Sequence, residues 1–439
     1  MRRGSTKPDT NAGPQSVWIV NHYAIDPAQS SSGSRHFSLA RRLVELGWSP
    51  TIFAASTEHP SGEQRQHAKR SSMDRQRDGV RFRFLRTPSY SSGFGRVINM
   101  LSFTFRLLLP AATKGLHRPQ VVIGSTVHPL AAWAASVLAR RAGVPFIFEV
   151  RDLWPQTLID LGRLGQHSFA ARLMRGVERT LCRRASAIIT LLPFAHEYFE
   201  GHGIPVDKVT WISNGTDLDA FCPSVRGSDA GDEDFKIMYL GSVGRANGVD
   251  MILDAFLAAT ARNPRLRLEI VGSGSERAAL QLKVAKSAQG AAVTFREPVV
   301  KSEVPQVVRN ADTLVINILD LDVYRYGVSM NKIFDYAAAA RPILIASNAR
   351  NNFVTEAEAG IAVSAGDVGA LSEAMVRMAS PEQSSDRARW GSNARAHVAE
   401  HYDYRVLGWK LHHLLITVSD QKQRRSRATS RTEKEQPDV

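Results

Sequence analysis

A chain of 439 residues with two cysteines is no disulfide-built secreted scaffold, and its length suggests two or three domains. Hydrophobic content of 43% and charged content of 22% are ordinary for a globular protein, but a net charge of +14 asks for a polyanionic partner. No apolar run reaches the roughly 18–20 residues of a bilayer span, and no zinc-finger or aromatic-interleaved basic motif favours nucleic acid.

Residues 1–15 are polar, predict disorder and lack the apolar core of a secretory signal, so a cytoplasmic location is expected. From 16 to 222, apolar strands alternate with amphipathic helical stretches, the pattern of a parallel, doubly wound sheet. The strands fall at 17–23, 51–56, 80–86, 121–125, 146–150 and 187–192. After the first comes a loop of small residues, where Ser32 and Gly33 let the backbone approach an anion ahead of Arg35. His128 stands at the end of the 121–125 strand, where an imidazole can act on a hydroxyl or bond a sugar; a structural histidine is the alternative. Glu149, Arg151 and Asp152 crowd the end of the next strand, either as site residues or as an internal ion-pair network.

The stretch 93–116 differs from its surroundings. Phe94, Ile98, Leu101, Phe105 and Leu108 line one face, with Arg96, Arg106 and Lys114 beside them and a basic cluster at 65–86 upstream. That composition suits an interfacial helix on anionic lipid, with a buried core helix as the alternative.

Residues 223–234 read as a linker, and a second alternating series occupies 235–401, with strands at 235–242, 266–274, 292–297, 313–319, 342–347 and 360–365. Two glycine loops, 241–248 and 271–277, follow strands and precede helices, the context for phosphate contact. Neither is a dinucleotide fingerprint or a Walker A loop. In 321–345, Ser329 is a candidate N-cap for a helix over 330–340 that puts Lys332, Asp335 and Tyr336 on one face. The helix start with Lys332 suits a phosphate, and Asp335 is placed for the hydroxyls of a ribose. An apolar helix at 402–418 is expected to pack back across both halves, and 419–439 reads as a disordered basic tail.

Together these blocks resemble glycosyltransferase family 4, and more closely its WbuB-like O-antigen and capsule branch. The resemblance spans about 17–418 and is carried by HYAIDPAQSSSGSRHFSLARRL (22–43), GSTVHP (124–129), FEVRDLWPQTLIDLG (148–162), ISNGTDLDAF (212–221), YLGSVGRANGVDMILDAF (239–256) and YGVSMNKIFDYAAAARPIL (326–344). It implies a GT-B fold: α/β, two doubly wound Rossmann-like domains facing a cleft, closed by a C-terminal helix. It also implies a metal-independent, cofactor-free and usually retaining transfer. The sugar, an N-acetylated or deoxy hexose, would pass from a UDP-linked donor to a lipid-linked or saccharide acceptor in bacterial surface polysaccharide synthesis. The enzyme would sit at the cytoplasmic face of the inner membrane, held through 93–116 and the 65–86 cluster.

Carried over by position, Asp335 is the second acid of the family's Glu-x7-Glu motif and would bind ribose, while Lys332 would face the diphosphate. Gly241, Ser242 and Arg245 would line the phosphates, Glu297 and Val299 would flank the base, and Gly272, Gly274, Tyr326, Gly327, Ser329 and Asn331 complete the donor side. His128 would lie near the transferred sugar, with Ser32, Gly33, Arg35, Arg151 and Asp152 on the acceptor side. The chain departs from the family where the first acid becomes Gly327 and the phosphate-binding Arg and Lys become Ser242 and Asn247. Alternatives on the same fold are a UDP-sugar 2-epimerase and an inactive nucleotide-sugar-binding protein.

Overall fold

The computed structural model describes residues 15–26, 35–59, 61–65, 70–126, 128–221 and 234–434, with side chains through 424. Residues 1–14 of the expected disordered start, the loop residues Ser32 and Gly33, nearly all of the 223–234 linker and residues 435–439 lie outside the described residues, while Gln15 opens the first strand.

The first half is built on eight strands, β1 (Gln15–Val20), β2 (Trp48–Ala55), β3 (Ser72–Arg77), β4 (Val80–Leu85), β5 (Val121–Ser125), β6 (Phe146–Val150), β7 (Ala187–Thr190) and β8 (Val209–Trp211), in the order β3-β4-β2-β1-β5-β6-β7-β8. All neighbours are parallel except β3, which runs antiparallel to β4 at the edge. The six expected strands are the apolar runs buried on both faces, as a helix-covered parallel sheet requires. Sequence patterning missed β3 and β8: SMDRQR is polar because an edge strand faces water, and VTW is only three residues long.

Around this sheet pack α1 (Arg35–Glu45), α2 (Gly93–Leu107), α3 (Pro129–Ala142) and α4 (Phe169–Arg184). Leu43 and Ala40 of α1 are wholly buried, while α2 is divided lengthwise. Its Asn99, Phe103, Thr104 and Leu107 turn inward; Phe94 is 77%, Leu101 52% and Phe105 65% exposed. Neither a core helix nor an all-round apolar segment describes α2. Part of the basic cluster upstream is paired within the protein. Arg77 and Arg75 lie 2.8 and 3.9 Å from Asp26, which they share, and Arg83 holds Asp74 at 2.6 Å, so two carboxylates offset part of the charge of these three arginines.

The second half carries β9 (Phe235–Leu240), β10 (Leu266–Val271), β11 (Val293–Arg296), β12 (Thr313–Asn317), β13 (Ile343–Ala346) and β14 (Gly360–Val363), all parallel, in the order β11-β10-β9-β12-β13-β14. Among its helices are α5 (Val249–Arg262) and α6 (Asn331–Ala338). The last helix, α7 (Tyr404–Lys434), sends Leu407, Leu411, Leu415 and Val418 into the core of the first half. It does not stop at 418 into disorder. Once its first turns are fixed by packing, helix-forming Gln, Lys and Arg continue it through 434.

Candidate active site

Between the halves lies a cleft of about 700 Å³ whose walls come from the strand ends of both sheets. On the second half, two glycine loops form its floor and are packed against each other. Gly241 N–H donates to the Val271 carbonyl at 3.0 Å and Val243 N–H to the Ser273 carbonyl at 2.8 Å. A Cβ on Gly272 would lie 1.9 Å from the Gly241 carbonyl oxygen, so no larger residue fits there.

Lys332, in the first turn of α6, points at this floor. Its Nζ donates to Tyr239 Oη and Asn247 Oδ1, both at 2.8 Å, and Tyr239 hands its own proton to the Ser242 carbonyl at 2.7 Å. Burial lowers the ammonium to about 7, since water is stripped from a charge that has no carboxylate partner among the described residues. An arriving anion would supply one. Asn247, at the position where the resemblance leads one to expect a lysine, thus orients Lys332.

Asp335, one turn along α6, is buried, accepting from Thr216 Oγ1 at 2.9 Å and from Lys301 Nζ. It lines the cleft but already carries a cation. Ser329 does not cap the helix. Met330 occupies that position without a side-chain bond, and α6 begins at Asn331. The Ser329 hydroxyl instead meets Ser213 Oγ at 2.9 Å and accepts from Asn214 N–H at 2.9 Å, and its carbonyl accepts from Asn214 Nδ2 at 2.7 Å. A serine beside a helix start has the sequence signature of a cap, but here its hydroxyl and carbonyl tie the two halves together.

Across the cleft, Arg151 and Asp152 follow β6 and line the opposite wall. Crowding by protein raises the Asp152 carboxyl above its ordinary value, and Arg151 and Trp154 only partly offset this. Glu149 parts company with them. It is buried in an ion pair with Arg35 at 2.9 Å and bonded to His36 Nε2 at 2.5 Å, and Arg35 also binds the Ser213 and Ile212 carbonyls. Arg35 is therefore a tie inside the first half, with no exposed guanidinium for an acceptor.

His128 is also enclosed. Its Nδ1 accepts from Ala131 N–H at 3.3 Å as the cap of α3, so Nε2 bears the proton and donates to His22 Nδ1 at 2.6 Å. His22 Nε2 in turn donates to Asn99 Oδ1 at 2.7 Å. This chain needs both rings neutral, and burial agrees, holding His128 at about 3 and His22 well below its usual value.

The cleft thus gathers Gly241, Ser242, Gly272, Gly274, Val299, Gly327, Ser329, Asn331, Lys332 and Asp335 from the expected donor side, and Arg151 and Asp152 from the other. It does not gather His128 or Arg35, nor three expected donor residues. Arg245 is exposed on a short turn, Glu297 is 80% exposed and paired with Arg277 at 2.8 Å, and Tyr326 packs on Tyr198, its carbonyl accepting from Phe194 N–H at 3.1 Å. Tyr239, Thr216, Asn214 and Lys301 were not anticipated. Only Lys301 carried a signal, as a cation after a strand end.

Two comparisons with known families decide the class. Residues 33–215 match the glycosyl transferase 4-like domain, and residues 234–380 match the glycosyl transferases group 1 domain. The chain is a GT-B glycosyltransferase. This glycosyltransferase shares its fold with sucrose-phosphate synthase of Thermosynechococcus elongatus, at 17% identity and a TM-score of 0.69 over 92% of this chain and 99% of that one. It is similar to HepE of Anabaena in complex with UDP, at 14% identity and a TM-score of 0.64 over 92% and 100%. It is also similar to WaaG, a glycosyltransferase of lipopolysaccharide biosynthesis, at 15% and 0.63 over 91% and 99%. A search of curated proteins finds no sequence match.

Proposed function

We propose that the enzyme moves a hexosyl group from a UDP-sugar on the second half to a lipid-linked saccharide approaching from the first, in the assembly of a bacterial surface polysaccharide. The observation that carries the reading is Lys332, a buried amine with no anion among the described residues, set above two interlocked glycine loops at a helix start. A diphosphate would complete it, and charge leaving with UDP would be stabilised there without a metal ion being needed for that role. The solved relatives bound to UDP or UDP-glucose support this choice of donor. Retention at the anomeric carbon and membership of the WbuB-like branch belong to the same proposal and rest on the sequence blocks alone.

The exposed apolar face of α2 supports an acceptor held at a membrane, since an unpartnered Phe and Leu stripe on a monomer is otherwise costly to leave in water. No described helix is long and apolar enough to cross one.

The test is a transfer assay with UDP-glucose, UDP-N-acetylglucosamine and their 6-deoxy analogues, run with and without polyprenyl-diphosphate-linked saccharides. Acceptor-dependent transfer is expected. Epimerisation of donor without acceptor, or UDP binding with no turnover on any acceptor, would sink the reading.

A further inference from the structure

Only two carboxylates line the cleft among the described residues, Asp335 and Asp152. A sugar being transferred presents hydroxyl donors and gathers positive charge at its anomeric carbon as UDP departs, so its pocket has use for a carboxylate. Asp335 is poorly suited, because Lys301 neutralises one oxygen and Thr216 occupies the other. Position 327 cannot supply an acid: its φ is +97°, and a Cβ there would lie 2.6 Å from Pro193 Cδ and 2.8 Å from Asn351 Oδ1. Asp152 remains. It is exposed, makes no ion pair among the described residues, keeps only a side-chain hydrogen bond with Trp154, and lines the same cleft as the glycine floor and Lys332.

Resting on the UDP-sugar reading, the geometry points to Asp152 as a catalytic residue: we propose that its carboxylate accepts a hydrogen bond from a hydroxyl of the transferred sugar and faces the charge developing on that ring. The diphosphate is held by the second half, so the sugar projects toward the first, where Asp152 waits beside Arg151 and Thr157. The acid that the resemblance leads one to expect at position 327, on the donor-binding half, is here contributed from the opposite wall. Closure of the cleft then does two things at once, excluding water and completing the sugar pocket. Arg151 keeps the carboxylate from being paired off entirely with a proton in the crowded site.

The test uses the full-length protein, with Asp152→Asn and Asp152→Glu, and a set of donors each lacking one sugar hydroxyl. Asp152→Asn is expected to bind UDP as the wild type does, to lose on the order of 10- to 100-fold in kcat/KM, and to recover part of it as Asp152→Glu. One deoxy donor is expected to be penalised by the wild type but not further by Asp152→Asn, which marks the hydroxyl that the carboxylate holds. Unchanged kcat/KM in Asp152→Asn, or penalties that multiply for every deoxy donor, would overturn the proposal. Absence of UDP binding by the wild type would instead overturn the donor reading beneath it.

Discussion

Gly327 and Pro193 meet across the two halves, so close that a single methyl group at 327 would stand 2.6 Å from the proline ring. The neighbouring Val328 is clasped by Asn351, whose Oδ1 accepts from its N–H at 2.8 Å and whose Nδ2 donates to its carbonyl at 2.9 Å. The glycine is therefore a fitted piece of the interface, where a larger residue would clash. Gly327→Glu, which writes the family's acid back, is expected to lower turnover at least about tenfold. Gly327→Ala should cost about 1–3 kcal/mol in unfolding free energy through its backbone conformation alone. Urea melts and initial rates on both variants check this, and a more active Gly327→Glu would refute it.

Lys332 is expected to make donor binding a proton-linked event. Its folded pKa is lowered to about 7, so between pH 7 and its unfolded value near 10 the unfolded chain binds more protons than the folded one. Through this group the stability of the free enzyme rises with pH across that window. A bound diphosphate favours the ammonium, so UDP binding at pH 8 should take up a proton. Calorimetry in buffers of different ionisation enthalpy measures that uptake, and it should vanish in Lys332→Met, whose turnover falls on the order of 100-fold or more. Equal binding heats in all buffers, corrected for none, would remove the linkage.

The sheets were legible because parallel strands buried on both faces are continuous apolar runs, and α6 because Lys332 and Asp335 recur on one helical face. What stayed hidden was partnership across the chain. Nothing local says that Ser329 will bind Asn214, that Asp335 will find Lys301 and Thr216, or that Arg35 will turn inward to Glu149. A charged residue beside a strand end has the same spacing whether it greets a substrate or another side chain. The three residues Glu149, Arg151 and Asp152 show this most plainly, since one went to the core and two to the cleft.

The His22–His128 chain predicts acid lability. Both rings are held neutral by burial, His128 down to about 3, so below pH 6.5 the unfolded chain takes up protons that the folded chain refuses. Stability is thus unaffected by this pair above pH 6.5 and falls as pH drops toward 4, by at most about 1.4 kcal/mol per pH unit for each ring. Unfolding free energies of wild type and His128→Gln between pH 7 and pH 5 should converge as the pH falls. Parallel profiles would show that the folded protein protonates His128 as readily as the unfolded chain does.

The stripe on α2 predicts reversible membrane binding. Moving a Phe or Leu side chain from water into lipid gains about 1.5–3 kcal/mol, so changing Phe94, Leu101 and Phe105 together to Gln should weaken partitioning by more than about a hundredfold. These side chains are exposed, while the inner face of the helix holds Phe103 and Leu107 in the core, so the fold should survive. Co-sedimentation with vesicles containing one third anionic lipid measures the loss, and rates on a water-soluble acceptor serve as the control. Because Arg75, Arg77 and Arg83 are held by Asp26 and Asp74, raising salt should reduce binding only mildly, with apolar contact as the larger share. Undiminished vesicle binding by the triple variant would show that another surface meets the lipid.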